Sequence, residues 1–391
     1  MSYLVLARKL RPARFKDLVG QETIWQTLKN AILSDRVAHA FLFTGPRGTG
    51  KTSCARVLTK ALNCLNLKDA EPCDQCEHCR EISQGISVDV MEIDAASNRG
   101  IEHIRELREG VKFSPAKCRY KTYIIDEVHM LTTESFNALL KTLEEPPSHV
   151  KFILATTDQY KVPTTVISRC QRYDFTNISS RDMVDYLKVV VKNEKIKISD
   201  ASLYLIARAS MGGMRDALTS LDMLVSYLGN DIKDKDVVQG LGLNDTREVD
   251  FMLGFIIDKE LYKALEVFQK LYQSGRTPQH IITDLMGAVK NLSLLVSLDQ
   301  QQVGWHQYLP DQLEFYQELK GKTTLSILQQ YFQLLLELET QVKKSSQAFL
   351  CMEMGLIKLC SVESLAGVAE VISALREIGG EKKKSPALRI S

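Results

Sequence analysis

The stretch GPRGTGKT, residues 45–52, has the spacing Gly-x4-Gly-Lys-Thr, which suits a grip on a polyphosphate. Gly45, Gly48 and Gly50 permit backbone shapes that turn N–H groups inward on phosphate oxygens. Lys51 adds a cation for the outer phosphates, and Thr52 a hydroxyl for Mg2+. Pro46, Arg47 and Thr49 complete the loop, and a helix starting near Lys51 brings its positive end to the anion. An acidic pair, Asp126 and Glu127, ends the apolar run in YIIDEVHM (123–130). Asp126 is placed to hold the metal ion through water, and Glu127 to orient or deprotonate an attacking water. Loop and carboxylates together point to ATP hydrolysis, with Lys51, Asp126 and Glu127 as catalytic candidates. Thr157, in ATT (155–157), reads as a sensor of the γ-phosphate, with Thr156 the competing residue.

A second chemistry sits in NCLNLKDAEPCDQCEHC. Cys64, Cys73, Cys76 and Cys79 stand in a hydrophilic excursion, the last three at C-x2-C-x2-C spacing. Four thiolates make a closed tetrahedral site, which implies structural Zn2+ and not a catalytic metal. An iron–sulfur cluster is the rival, and His78 could replace one sulfur. Arg169, in VISRCQRY (166–173), follows an apolar run that reads as a strand, and its residue type serves either a surface charge or a phosphate.

These groups need elements to hold them. Apolar runs at 39–45, 88–94, 121–126 and 150–157 read as strands buried on both faces, alternating with helical patterns at 51–63, 100–112 and 132–144. That alternation predicts a parallel sheet covered by helices, up to about residue 178. Past Phe175 the pattern turns helical. Serines suited to an N-cap open 179–196, and Met183, Leu187, Val190 and Val191 recur at helical spacing. Helices are expected at 200–210, 214–228 and 234–240, which completes a small helical domain over 179–242. After the glycines of GLGLNDTREVD come helical patterns at 246–257, 260–274, 277–298, 311–319, 324–343 and 346–362. In 324–343, Leu325, Leu328, Phe332, Leu335 and Val342 form one apolar stripe, expected to pack in a core. The domains are thus 1–178, 179–242 and 243–367, with a flexible tail over 368–391.

At 391 residues and 45% hydrophobic content, the chain can bury two or three cores. Its net charge of +2 means that any nucleic-acid surface is a local patch. The N-terminus lacks the order of a secretory signal, and the expectation is a soluble cytoplasmic protein. Nine cysteines are then a metal site plus small apolar residues, not a disulfide framework.

YLVLARKLRPARFKDLVGQE, GPRGTGKTS, the four cysteines, DEVHML, LLKTLEEPP, ILATTD and ISRCQRYDF together resemble the gamma/tau subunits of bacterial DNA polymerase III, the ATPase motors of the sliding-clamp loader. The resemblance runs to about residue 365. It implies an α/β P-loop domain of the AAA+ type with a parallel sheet, a small helical lid and an all-α collar. Its implied partners are further gamma/tau subunits, delta and delta prime in a ring of five, the beta sliding clamp and primer–template DNA. Polymerase core and helicase would be partners only with a longer, tau-type C-terminus. ATP binding would open the clamp and hydrolysis release it on DNA. The chain would belong to a DNA-directed DNA polymerase holoenzyme, a nucleotidyltransferase, without a polymerase active site of its own.

The resemblance also carries residue roles. Arg169 matches an arginine finger that acts on the γ-phosphate in a neighbouring subunit, and Arg215, in GGMRDAL, matches the lid's sensor arginine. Arg8, Arg11 and Pro12 lie in a segment like that lining the adenine pocket, and AASNRG (95–100) would approach nucleotide or DNA. The competing functions are another ring-forming DNA motor, such as a branch-migration helicase, and a non-hydrolysing structural subunit of a loader.

Overall fold

The computed structural model describes residues 5–98, 100–241, 244–298 and 310–362. The chain divides after Leu241 into two compact units. The tail expected over 368–391 lies outside the described residues, as does 363–367.

The first unit opens with α1 (Leu6–Lys9) and α2 (Glu22–Leu33), followed by β1 (Ala40–Thr44), α3 (Lys51–Asn63), α4 (Glu77–Gln84) and β2 (Val90–Asp94). Then come α5 (Ile101–Val111), β3 (Lys121–Asp126), α6 (Thr133–Glu144), β4 (Val150–Thr156), α7 (Thr164–Ile167) and β5 (Gln171–Asp174). All five strands run parallel, in the order β2-β3-β4-β1-β5. Parallel neighbours require crossovers, and the helices between the apolar runs supply them. One face of the sheet is covered through Ile104, Leu107, Phe136 and Leu139, beneath which the Tyr123 and Phe152 rings stack at 5.5 Å. The other face buries Phe41 and Phe43 with Val57, Leu58 and Phe175.

Three expectations change here. The run 88–94 is an edge strand with Met91 and Glu92 exposed, not a strand buried on both faces. The opposite edge, β5, was not anticipated: QRYD is short and polar, and only Tyr173 turns into the core. The run before Arg169 is the short helix α7 and not a strand.

The same unit continues with α8 (Ser180–Glu194), α9 (Asp200–Ala209), α10 (Met214–Leu228) and α11 (Asp234–Gly240). Ser179 and Ser199 cap α8 and α9, their hydroxyls accepting from the Asp182 and Ser202 N–H groups, each at 3.1 Å. Met183, Leu187, Leu203, Ile206, Ala217 and Leu221 form a separate core, which Leu6 of α1 joins. The Leu6 N–H donates to Asp222 at 3.4 Å.

The second unit is helical throughout its described residues: α12 (Asn244–Ile257), α13 (Leu261–Gln273), α14 (Pro278–Ser297), α15 (Pro310–Lys320), α16 (Leu325–Lys344) and α17 (Ala348–Cys360). Helix α16 packs along α14 and α17. Its buried stripe is Leu328, Tyr331, Leu335, Leu338 and Val342, whereas Leu325 and Phe332 stand at its margin, 37% and 36% exposed. The expected stripe had taken in two flanking positions and passed over Tyr331 and Leu338.

Candidate functional site

In a parallel sheet the C-terminal strand ends share one edge, and β1, β3 and β4 deliver Thr44, Asp126 and Thr156 there. The glycine-rich loop leaves β1 and enters α3. Gly45 has φ 138°, and a Cβ at that position would lie 2.2 Å from the Phe175 carbonyl oxygen. Any side chain would therefore push the loop off β5. Gly50, at φ 100°, makes the turn into α3. Residues Arg47 to Ser53 line a cavity of about 780 Å³, with Gly45 and Pro46 at the base of the loop.

Lys51 is only 6% exposed, and its Nζ donates to the Gly45 and Pro46 carbonyl oxygens, both at 2.7 Å. Burial lowers its pKa, opposed by the nearby Glu127 and Asp126 carboxylates. The Thr52 hydroxyl donates to Asp126 Oδ2 at 2.7 Å, so a hydroxyl and a carboxylate converge at the cavity wall. Such a pair of hard oxygens fits Mg2+, which typically takes one or two protein ligands and keeps several waters. Asp126 Oδ1 accepts from the Glu127 N–H at 2.9 Å. Glu127 itself has a left-handed backbone, φ 48°, uncommon for a residue with a Cβ. Its Oε2 accepts from Thr157 twice, from N–H at 3.3 Å and Oγ1 at 3.0 Å. The two candidate threonines thus part company. Thr157 is joined to Glu127, while Thr156 is buried and bonded to His129 and Asp158.

The helical subdomain closes the cavity from the other side. The Arg215 N–H donates to Gly48 O at 3.4 Å, and a Cβ on Gly48 would meet Gly213 Cα at 3.1 Å. This close approach puts Arg215, Met214 and Leu218 in the cavity wall. Arg8, Arg11 and Pro12 line it from the N-terminal segment, and Asp94 and Ala96 from the end of β2. Burial, then the neighbouring Arg56, lowers the Arg11 pKa. Leu10, Leu18, Val19, Ile178 and Tyr186 add an apolar flank of the kind a planar base needs. Sequence reasoning missed these residues. Each is a scattered apolar position that reads as core, and only the fold gathers them beside Pro12.

Arg169 is absent from the cavity wall. It lies between α7 and β5, its guanidinium paired with the Glu144 carboxylate at the end of α6. Its Nη1 donates to Thr165 O at 2.6 Å and to Ser168 Oγ at 3.3 Å.

The four cysteines converge as the spacing predicts. All four Sγ atoms lie within 4.8 Å of one another, Cys73 and Cys79 at 4.0 Å. A tetrahedron with metal–sulfur bonds of about 2.3 Å has edges of about 3.8 Å, so the cluster is compatible with structural zinc. Backbone N–H groups support the sulfurs: those of Gln75 and Cys76 donate to Cys73 at 3.4 and 3.3 Å, and that of Cys73 to Cys64 at 3.3 Å. Burial acts to raise the Cys73 pKa, but these donors outweigh it and bring the thiol down to about 6. His78 does not join the cluster: the ligand atoms that converge are those of the four cysteines, and its Nδ1 is hydrogen-bonded to the Asn63 carbonyl at 2.8 Å. The module is tied to the body through Glu71, which accepts from the Phe15 N–H at 2.9 Å and pairs with Lys29 at 3.1 Å. The other five cysteines are unbridged, and burial pushes Cys118 up to about 11 and Cys170 to about 12.

Comparison with known proteins matches residues 20–179 to the family described as DNA polymerase III, delta subunit. Residues 182–227 match the DNA polymerase III clamp loader subunit, ATPase lid domain, and 232–375 match DNA polymerase III subunits gamma and tau, domain III. The Bacillus subtilis DNA polymerase III subunit tau is 41% identical over 380 residues, 97% of this chain and 67% of that protein. A Buchnera aphidicola subunit gamma is 36% identical over 92% of this chain and 99% of its own length. The Escherichia coli subunit tau is 40% identical over 75% of this chain, though over only 46% of itself. Among solved structures, a Thermotoga maritima RuvB Holliday junction branch migration motor aligns with 61% of this chain and 78% of its own at 19% identity and a TM-score of 0.44, too distant to weigh against these relatives. No helix among the described residues is long and apolar enough to cross a membrane. A phosphate loop, paired carboxylates and a lid arginine around one cavity, with relatives of this identity and coverage, place the chain in the gamma/tau subunit family of bacterial DNA polymerase III, the ATPase motor subunits of the clamp loader.

Proposed function

We propose that this chain binds ATP and Mg2+ in the cavity between the glycine-rich loop and the helical subdomain, and turns hydrolysis into loading of the beta sliding clamp on primed DNA. Lys51 neutralises the outer phosphates, Thr52 and Asp126 hold Mg2+, and Glu127 acts on the attacking water. Thr157 and Arg215 sense the γ-phosphate, and Arg11 and Pro12 flank the base, with Arg8 nearby. Residues 1–178 serve as the ATPase domain, 179–242 as its lid and 243–367 as a collar for assembly.

A single observation carries the reading furthest: eight of these groups share one cavity wall, the ninth, Thr157, bonds directly to Glu127 in it, and Arg169 does neither. A guanidinium on the surface, between α7 and β5, is available to a neighbouring subunit's phosphate. Such an arrival in trans stabilises transition-state charge and is worth about 10³–10⁵ in rate in other NTPases. It also makes turnover depend on assembly with further gamma/tau subunits, delta and delta prime. Zn2+ held by Cys64, Cys73, Cys76 and Cys79 stiffens the excursion after α3 without entering the chemistry. DNA is gripped through backbone phosphates, so its binding weakens as salt rises. The polymerase activity of the holoenzyme resides in other chains, and the setting is the cytoplasm.

The test is ATP turnover with and without delta, delta prime, clamp and primed DNA, for wild type and Arg169→Ala. Wild type is expected to be strongly stimulated, and the variant to bind nucleotide normally but lose about 10³-fold of the stimulated rate. Equal stimulation of the two proteins would return Arg169 to the status of a surface charge. No stimulation of either would overturn the loader reading.

A further inference from the structure

His129 lies within the YIIDEVHM stretch but was given no role there, yet its ring reaches both Glu127 and the end of β4. Its Nδ1 lies 3.0 Å from Thr156 Oγ1 and 3.4 Å from Glu127 Oε2. The His129 side chain is 11% exposed and that of Glu127 32%.

Proton accounting settles the sense of the bonds. Thr156 has one hydroxyl proton, and it goes to the Asp158 carbonyl oxygen at 3.1 Å, while the Asp158 N–H donates back at 3.0 Å. The remaining partner of Thr156 Oγ1 must therefore donate. The second oxygen agrees, because a ring lone pair aimed at a carboxylate would repel it, whereas one N–H pointing between two oxygens attracts both. Nδ1 thus carries a proton that bonds Thr156 and attracts the Glu127 carboxylate 3.4 Å away. Glu127 Oε2 then faces three N–H or O–H groups: it accepts from the Thr157 N–H and the Thr157 hydroxyl, and the His129 Nδ1–H stands 3.4 Å away in electrostatic contact. Two of the three belong to the tip of β4 and one to the turn after β3. The carboxylate needs such support, since its own backbone is held in the left-handed region.

We propose that His129 is a positioning residue for ATP hydrolysis: anchored by its Nδ1 bond to Thr156, it holds the Glu127 carboxylate by electrostatic attraction. The proposal rests on the reading of Glu127 as the base that acts on water. His129 is not among the residues lining the cavity. It acts by holding one carboxylate oxygen so that the other is presented in a single orientation. Misplacing a catalytic group by about 1 Å can cost about 10²-fold in rate without weakening ground-state binding. Loss of one of the three groups should cost less than that.

The experiment compares Glu127→Gln, His129→Leu, His129→Asn and the Glu127→Gln/His129→Leu double variant in the full chain assembled with delta, delta prime, clamp and primed DNA. It reads kcat, KM for ATP, binding of a fluorescent ATP analogue, and Tm as a check on folding. Leucine fills the space without a donor, while asparagine returns an N–H near the position of Nδ1. His129→Leu should lower kcat about 10–30-fold with KM within about twofold, and His129→Asn should recover to within about threefold of wild type. In the Glu127→Gln background His129→Leu should add nothing, because its effect runs through that carboxylate. Three results would overturn the proposal: wild-type kcat for His129→Leu, equal loss in the leucine and asparagine variants, or the same further loss in the double variant. Undiminished turnover by Glu127→Gln would overturn the base assignment itself, whatever the His129 variants do.

Discussion

Replacing Lys51 by alanine should leave the folded chain about as stable as before and remove its response to ATP. Two effects oppose each other in the protein without nucleotide. The ammonium makes two charge-assisted hydrogen bonds, to the Gly45 and Pro46 carbonyl oxygens at 2.7 Å, worth about 1.5–3 kcal/mol each. Against them stands the removal of a charged group from water, several kcal/mol at a site only 6% exposed. The lowered pKa of Lys51 shows that desolvation is felt. The net change is therefore about zero, within about 2 kcal/mol. Its pH dependence has a definite sign. A lysine whose folded pKa is depressed penalises the fold while it is charged, and the penalty fades as pH rises from the lowered value to the ordinary one. Wild type should gain on the alanine variant in the alkaline range.

With ATP and Mg2+ at about 100 times Kd, wild type gains about 2.7 kcal/mol. The first unit has 241 residues, and at about 2.1 cal/mol/K per residue its unfolding entropy is about 0.5 kcal/mol/K, so Tm should rise by about 5 °C. Lys51→Ala should show less than about 1 °C of that rise and no measurable hydrolysis. Scanning calorimetry with and without ATP·Mg2+, followed by a phosphate-release assay, checks both. A full ATP-induced rise with normal phosphate release in the variant would refute the assignment of the loop. A Tm several degrees lower without nucleotide would refute the reasoning about the ammonium.

Arg169→Ala, read for stability alone, should cost less than about 1 kcal/mol by urea titration, because the pair with Glu144 is solvent-accessible. Elemental analysis of the purified chain should find one zinc per molecule, and Cys76→Ser should lose it and lower the Tm of the first unit by about 4 °C, equivalent to about 2 kcal/mol. Gly45→Ala should cost more than about 3 kcal/mol, since its Cβ would press to 2.2 Å on a backbone oxygen that has nowhere to go. Gly355→Ala should cost less, about 1–3 kcal/mol, because the obstacle at 2.3 Å is the Leu338 side chain, which can rotate. Denaturant unfolding of the two glycine variants orders them.

Legibility in the sequence followed the physical origin of each feature. Central strands β1, β3 and β4 are buried on both faces, so they must be continuous apolar runs and stand out as such. The edges carry no such demand. β5 has a single inward residue, Tyr173, and β2 keeps three exposed positions, so one edge escaped notice and the other was taken for a central strand. Helix α2 was passed over because its buried residues are only Ile24 and Leu28. The chemistry divides in the same way. The phosphate loop and the cysteine cluster depend on neighbours a few residues apart, and spacing reveals them. The apolar flank of the cavity and the His129 contacts join residues that meet only after the sheet has formed, Thr156 from the end of β4 and His129 from the turn after β3, and Val19 and Leu218 from opposite ends of the unit. Arg169 shows the limit from the other direction. Its residue type fits either a surface charge or a phosphate contact, but only the fold reveals that its own cavity lies out of its reach, and that is the reason to look for a phosphate on another subunit.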